Sequence, residues 1–426
     1  MGRVVVGMIG LGTVGSGVVR LLEQQRHIAL KKVAVKDLKK ERSIKPACPV
    51  VTDVHEVIDD PEIEILIEVM GGEQPALDFI KRAIDKRKHV VTANKEVLAK
   101  HGPELFQLAK KKGVAIFFEA SVAGGVPLIS TISKGLEANQ FSCVMGILNG
   151  TTNFILSKME EDKESYADAL KKAQALGFAE ADPTNDVDGY DVAYKLSILA
   201  ALSYQRFAKP TEIYREGIRN VSAEDMAQAQ EFGYRIKLVG SARRAENGKV
   251  DVRVHPMMVP INHALASVSG GNNGIVVQGD AVGEIIMVGP GAGMMPTASA
   301  IVGDTINLAS ALQLPDFASY FQPKIESEWG TTADPGDWSC PFYLRFSVND
   351  TPGVIGRIGT IFGAHKISIQ SIFQRGVEEV GARIVIFTHE VKNSQMQNAI
   401  EELKKCDFLR ELESQIRIFQ PAGRNG

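Results

Sequence analysis

The sequence predicts an α/β chain in three parts: an N-terminal parallel sheet covered by helices, a central α+β region, and a C-terminal βαββαβ unit. Three observations lead there. Over the first third, short apolar runs alternate with amphipathic stretches, the pattern of a parallel sheet buried on both faces. Near Pro127 this gives way to long helical stretches followed by alternating strands. Beyond Pro341 the order becomes strand, helix, strand, strand, helix, close to a ferredoxin-like unit. A chain of 426 residues exceeds one ordinary core, so several domains are expected.

The opening "RVVVGMIGLGTVGSGVVRLLEQQ" reads as a β-branched strand, a glycine turn and a helix with apolar residues at Val14, Val18, Leu21 and Leu22. Further strands are predicted at "KKVAVKD", "IEILIEVMG", "KHVVTAN" and "VAIFFEAS", with helices at "PALDFIKRAIDKR" and "GPELFQLAKKKG". These assign residues 1–130 to a nucleotide-binding domain. Residues 131–296 follow as a separate α+β domain that carries the substrate, with helices in "TNFILSKMEED", "ESYADALKKAQALG" and "DVAYKLSILAALSY" and a strand in "VDVRVHPMMV". The helix "ASAIVGDTINLASALQ", about 297–315, is expected to return to the first domain. A polar linker ending in "ESEWGTTADPGDWSCP" is assigned to 316–340, and the last unit to 341–426.

Charged residues make up 23% and hydrophobic ones 44%, which fits a folded globular protein. A net charge of -3 gives no electrostatic case for nucleic acid or an anionic membrane. Cys48, Cys143, Cys340 and Cys406 are scattered without a CxxC pair, against a zinc site or disulfide framework and in favour of reduced thiols. The N-terminus runs into a strand without a signal-type pattern, and no apolar run spans a bilayer, so the expected location is the cytoplasm.

Gly10, Gly12 and Gly15 form "GLGTVG" between a strand and a helix, with Thr13 and Val14 opening that helix. The context makes this a Rossmann dinucleotide turn: the first glycine allows the turn, the second admits the pyrophosphate, and the third lets helix and strand pack. Asp37 suits a ribose 2′-hydroxyl, while Lys36, Lys39, Lys40 and Arg42 suit a 2′-phosphate, so NAD and NADP both stay open. In "HVVTANKEVLA", Thr92 and Lys95 fall at the carboxyl end of a strand, where open α/β sheets place ligands. "ADPTNDVDGYDVAYK" crowds Asp182, Asp186, Asp188 and Asp191 beside Lys195. Calcium is rejected, because with Gly189 as sixth loop residue the twelfth is Lys195 rather than Glu. Asp191 and Lys195 are an i,i+4 pair on one helical face, and clustered acids suit an ammonium group.

At this point "ALGFAEADPTNDVDGYDVAYK" resembles the signature of homoserine dehydrogenases, as do "NGTTNFIL", "VTANK" and "EASVAGGVP". The resemblance spans nearly the whole chain, including a C-terminal ACT-type module. It implies interconversion of L-homoserine and aspartate semialdehyde with NAD or NADP, within threonine, methionine and isoleucine biosynthesis, by a homodimer or homotetramer. It places Lys195 as the proton-transfer group with Lys95 as its partner. Oxidising an alcohol needs a proton acceptor, and two close lysines depress each other's pKa. Glu180, Asp186 and Asp191 become the substrate-binding acids. Gly71, Thr92, Lys95, Gly177, Gly291 and Gly293 become candidates for lining the cofactor.

The resemblance also implies a sodium-type cation on the carbonyls of Glu119, Val122, Gly124 and Val126. A glycine-rich loop without a metal explains the same residues, because carbonyl ligands leave no side-chain signature. In the tail it implies that Asn349, Asp350, Gly353 and Val354 receive an effector, L-threonine, acting through the linker. Two rival readings are a semialdehyde dehydrogenase, which needs an activated cysteine such as Cys143, and a non-catalytic amino-acid sensor on an inactive Rossmann domain.

Overall fold

The computed structural model describes residues 3–245, 248–312, 324–326, 328–377 and 381–420. Its first sheet contains β1 (Val4–Ile9), β2 (Ile28–Ala34), β3 (Val50–Val51), β4 (Ile65–Glu68), β5 (His89–Thr92) and β6 (Ile116–Phe117). The strands are parallel in the order β3-β2-β1-β4-β5-β6. Strand order reverses between β1 and β4, and a doubly wound sheet opens its ligand crevice at such a point. Val6, Met8, Ile65, Ile67, Val90 and Val91 are fully buried, as strands covered on both faces must be. The helix Met294–Ala311 packs on the helix Thr13–Leu22. Their contact is close enough that a Cβ at Gly17 would lie 2.9 Å from that of Ala298.

Several elements differ from the sequence expectation. β2 begins at Ile28, ahead of "KKVAVKD", because Ile28 and Ala29 already pair with Val4 and Val5. The helix expected from Gly102 begins at Lys95 and runs through Pro103 to Lys112. Proline costs a helix its bond to the carbonyl four residues back, and tertiary packing offsets that here. Gly102 lies so close to the Phe207 ring that a Cβ would sit 2.2 Å from it. The "VAIFFEAS" segment gives only Ile116–Phe117 as strand and turns into a 3₁₀ helix at Glu119–Ser121.

The second sheet contains β7 (Phe141–Ile147), β8 (Tyr214–Arg215), β9 (Tyr234–Arg244), β10 (Val250–Pro260), β11 (Asn272–Gly279) and β12 (Gly283–Pro290). The C-terminal unit adds β13 (Ser339–Cys340), β14 (Phe342–Val348), β15 (Ile369–Val377), β16 (Gly381–Thr388), β17 (Val391–Lys392) and β18 (Leu409–Ile418). With helices Val354–Ala364 and Asn393–Leu403 this is the anticipated βαββαβ unit.

It is not merely tethered. One continuous sheet runs β12-β11-β7-β9-β10-β18-β14-β16-β15, with β8 beside β10. The seam is a parallel pairing of Met257 with Arg417 and Met258 with Ile418. Residues 316–323 and 327 of the expected linker lie outside the described residues. The rest packs on the core: Trp329 bridges Phe207, Thr332 bridges Val250, and Trp338 is buried beneath the Arg253 guanidinium, 3.8 Å from its ring. The expected polar linker is thus not the sole connection: the C-terminal unit also joins the central domain through a shared sheet. Among the described residues, no helix is long and apolar enough to cross a membrane.

Arg345 on β14 fixes the seam. It reaches Asp225 (Nε to Oδ1, 3.1 Å), Glu413 (2.6 Å) and Ser222 Oγ (3.0 Å), and pairs with Glu224 (2.9 Å). Asp225 is fully buried at the N-terminus of the helix Ala223–Glu231, in a capping box with Ser222. Arg345→Ala strands this carboxylate, so urea unfolding should show a loss of about 3–5 kcal/mol. A loss below about 1 kcal/mol would mean that the capping donors alone satisfy Asp225.

Candidate active site

The glycine turn has three distinct local environments. Gly10 adopts a left-handed φ of +102°, and a Cβ there would lie 2.7 Å from the Val69 carbonyl. A Cβ on Gly15 would lie 2.4 Å from the Gly10 carbonyl, so this glycine allows helix and strand to touch. A Cβ on Gly12 would meet nothing within 4 Å. Gly12 therefore borders open space, and as helix N-cap it provides no side-chain cap. The amides of Thr13, Val14 and their neighbours are left for a phosphate. This cradle fits the pyrophosphate of a nicotinamide dinucleotide.

Lys36 and Asp37 are exposed beyond β2. The Asp37 carboxylate accepts the Lys39 amide (2.8 Å), while Arg42 is fastened to the Lys40 carbonyl (2.7 Å). Gly71 follows β4, Gly177 ends the helix Tyr166–Ala175, and Gly291 and Gly293 precede Met294–Ala311. The Thr92 side chain is turned inward: its hydroxyl donates to Glu68 (2.6 Å) and accepts the Asn94 amide (3.0 Å), leaving its backbone as the part that could face a cofactor. Glu68 is fully buried, and burial pushes its carboxyl up. Sequence reasoning passed over Glu68, although an acid inside the apolar "IEILIEVMG" run was a signal.

Lys95 is the first residue of its helix, held there by Asn94, whose side chain accepts the Val97 amide (3.2 Å) and donates to the Gly72 carbonyl (2.7 Å). Its ammonium pairs with Asp191 Oδ1 at 2.8 Å. Lys195, one turn along the helix Tyr190–Tyr204, pairs with Asp191 Oδ2 at 2.7 Å and donates to the Leu148 carbonyl at 2.6 Å. Asn149, also missed by sequence reasoning, donates to Asp186 (2.7 Å) and to Asp191 (2.9 Å) while capping the helix Gly150–Asp162. An Asn-Gly-Thr sequence before a helical run is an N-cap signal that could have marked it.

The two lysines share one carboxylate but differ in surroundings. Lys195 is buried, and this burial, with the charge of Lys95, lowers its pKa despite Asp191. Lys95 keeps a side-chain exposure of 41%, and the charge of Asp191 raises its pKa. Burial pushes Asp191 up, but the two ammoniums outweigh it and hold the carboxyl well below its usual range. Asp186 is raised by burial and by Asp191. Glu180 has an exposed side chain, and its carbonyl accepts from Gln174 (3.1 Å). Cys143 is buried on β7 with its thiol pushed up by desolvation; reactive thiols are lowered and accessible.

The Glu119 carboxylate is occupied by the amides of Ile129 (2.7 Å) and Ser130 (2.8 Å), leaving only its carbonyl for a cation. Ala123 and Gly124 have φ of +55° and +33°, which turns successive carbonyls of the loop. The Val126 carbonyl accepts the Leu128 amide at 2.8 Å; among the described residues, no donor reaches the carbonyls of Val122 and Gly124. In the tail, Asn349, Asp350, Gly353 and Val354 line a cavity of about 420 Å³. Gly353 caps the helix Val354–Ala364 without a side-chain bond, leaving its first amides open. Gln374 donates to Asp350 (3.2 Å), but the Asn349 side chain turns away to the Asp407 carbonyl (3.1 Å) and Arg410 (2.7 Å).

A phosphate cradle at the switch point of a doubly wound sheet, with two lysines paired on one buried carboxylate, fits an NAD(P)-dependent oxidoreductase. Comparison with known proteins narrows the class. Residues 10–119 match the homoserine dehydrogenase NAD-binding domain, 127–306 the homoserine dehydrogenase domain, and 342–408 the ACT domain. The chain is similar to homoserine dehydrogenases of Synechocystis sp. (40% identical, covering 97% of this chain and 99% of that one) and Bacillus subtilis (39%, covering 97% and 98%). Among solved structures it is similar to a homoserine dehydrogenase from Thiobacillus denitrificans, with a TM-score of 0.92 at 39% identity, covering 98% of each chain. A hyperthermophilic archaeal homoserine dehydrogenase in complex with NADPH gives 0.63 at 27% identity, covering 74% of this chain and 99% of that one. The chain belongs to the homoserine dehydrogenase family.

Lys195→Ala should lower kcat by at least the roughly 10²–10⁴-fold that positioned proton transfer supplies, while cofactor binding, followed by quenching of protein fluorescence, stays nearly unchanged. A wild-type-like kcat would remove Lys195 from the chemistry.

Proposed function

We propose that the chain interconverts L-homoserine and L-aspartate 4-semialdehyde, with Lys195 exchanging the proton at the substrate oxygen. The observation that carries this reading is Asp191 held between Lys95 and Lys195. When bound, the nicotinamide accepts or returns a hydride at the carbinol carbon. Lys195, whose charged form burial disfavours, takes the hydroxyl proton in oxidation and returns it to the carbonyl oxygen in reduction. Lys95, kept charged by Asp191, steadies negative charge on that oxygen. Asp186 and Glu180 hold the substrate ammonium.

The same reading covers the ancillary sites. The carbonyls of Glu119, Val122, Gly124 and Val126 hold a monovalent cation that braces the loop. The basic residues Lys36, Lys39, Lys40 and Arg42 favour the 2′-phosphate of NADP. The protein serves threonine and methionine biosynthesis, and L-threonine binds the cavity beside Gly353, its carboxylate on the open helix amides and its ammonium on Asp350.

Initial rates with homoserine and each cofactor test the activity, and absence of turnover with both would overturn it. Asp186→Asn and Glu180→Gln should chiefly raise the KM for homoserine, because the charged contact exists in the ground state as well; an unchanged KM in both would remove them from the substrate site. Threonine should inhibit noncompetitively with homoserine, and Asp350→Ala should lose that inhibition while keeping basal turnover. Equal inhibition of Asp350→Ala and wild type would put threonine at another site.

A further inference from the structure

Asp186 lies on a helix of a single turn, Thr184–Val187, whose N-cap, Pro183, makes no side-chain bond. One turn cannot hold itself in place, since nucleating a helix fixes several residues for one hydrogen bond. Its position is therefore set by its neighbours. On the inner side, Asn149 grips Asp186 at 2.7 Å. On the outer side runs the segment Tyr214–Asp225. The Arg219 guanidinium forks onto the Asp188 carboxylate (2.6 and 3.2 Å) and reaches the Thr184 hydroxyl (3.3 Å), while the Ile218 amide donates to the Val187 carbonyl (2.9 Å). Gly217 lies flat against the turn, where a Cβ would sit 2.3 Å from the Val187 carbonyl.

The same segment is held at both ends by arginines of the C-terminal unit. Arg417 on β18 is 2% exposed. It pairs with the Glu216 carboxylate, donates to the Tyr214 hydroxyl at 2.9 Å, and lies 5.3 Å from the Trp338 ring. Arg345 on β14 binds Ser222 and Asp225 at the other end. β14 and β18 pair along their length, from Phe342 with Arg417 to Val348 with Leu409. Val348 and Asn349 also line the effector cavity. The ladder is irregular between Arg345 and Phe346 and again between Ser347 and Val348. The cavity is thus separated from the gripping arginines by strand irregularities, where the ladder is locally disrupted.

We propose that Tyr214–Asp225 is a strap through which the C-terminal unit sets the position of Asp186 and so the affinity for the amino-acid substrate, with Arg219 as its positioning residue. The proposal rests on Asp186 as a substrate acid. The chain of contacts is contiguous, as coupling through packed and hydrogen-bonded groups requires. Arg219 touches neither lysine, so loosening it acts first on substrate binding.

Steady-state kinetics of the full chain test this. Arg219→Gln should raise the KM for homoserine about threefold, the weight of a partly exposed ion pair, with kcat and cofactor KM nearly unchanged. Arg417→Lys keeps the charge but loses the fork onto Glu216 and Tyr214, and should give the same selective rise from within the C-terminal unit. The double variant should show less than the product of the two effects, because both act through one strap. If Arg417→Lys does not fold, Asp188→Asn takes its place as the second variant. An unchanged homoserine KM in Arg219→Gln, an effect on kcat alone, or independent multiplying effects would each overturn the strap. Failure of the underlying reading looks different: Asp186→Asn itself would leave the homoserine KM unchanged.

Discussion

A carboxylate with almost no access to water, placed between two ammonium groups, holds this molecule together at the point where it works. Isolated, a buried Asp191 would cost several kcal/mol in desolvation. With Lys95 on one oxygen and Lys195 and Asn149 on the other it is satisfied. Lys95 comes from the end of the parallel sheet and Asp191 from the central helix Tyr190–Tyr204, so the ion pair that builds the site also joins two domains.

That sharing makes the two lysines unequal. Both contact Asp191, yet Lys195 is enclosed and disfavoured as a cation while Lys95 keeps a route to solvent and is favoured. A lysine disfavoured as a cation and a lysine held charged arise from one residue type by surroundings alone. The rest of the site supports the difference. Glu68 fixes Thr92, Thr92 fixes the Asn94 amide, and Asn94 caps the helix that starts with Lys95.

The C-terminal unit belongs to the same mechanical system. β18 extends the central sheet beside β10, and Arg345 and Arg417 bind the segment Tyr214–Asp225 that lies against the acidic turn. Buried arginines are costly unless fully paired. Their presence at a seam gives it a defined geometry and penalises disordered alternatives. A module attached only by a polar linker would have no such means of acting on a site in another domain.

The sequence by itself determined the features that rest on local geometry. A glycine turn between strand and helix admits few conformations, so Gly10, Gly12 and Gly15 could be assigned separate environments from their spacing. The i,i+4 relation of Asp191 and Lys195 follows from the helical repeat, and the order of strands and helices in the tail from hydrophobic period. Tertiary structure decided everything that depends on partners distant in the chain. The passage of a helix through Pro103 depends on packing that includes Phe207, and the inward turn of Thr92 depends on Glu68. The solvent exposure of Glu180, the bridging role of Asn149 and the β10–β18 seam likewise have no local signature. Side-chain period and propensity specify which face of an element is apolar, but not which distant element will cover it or which charge will be waiting there.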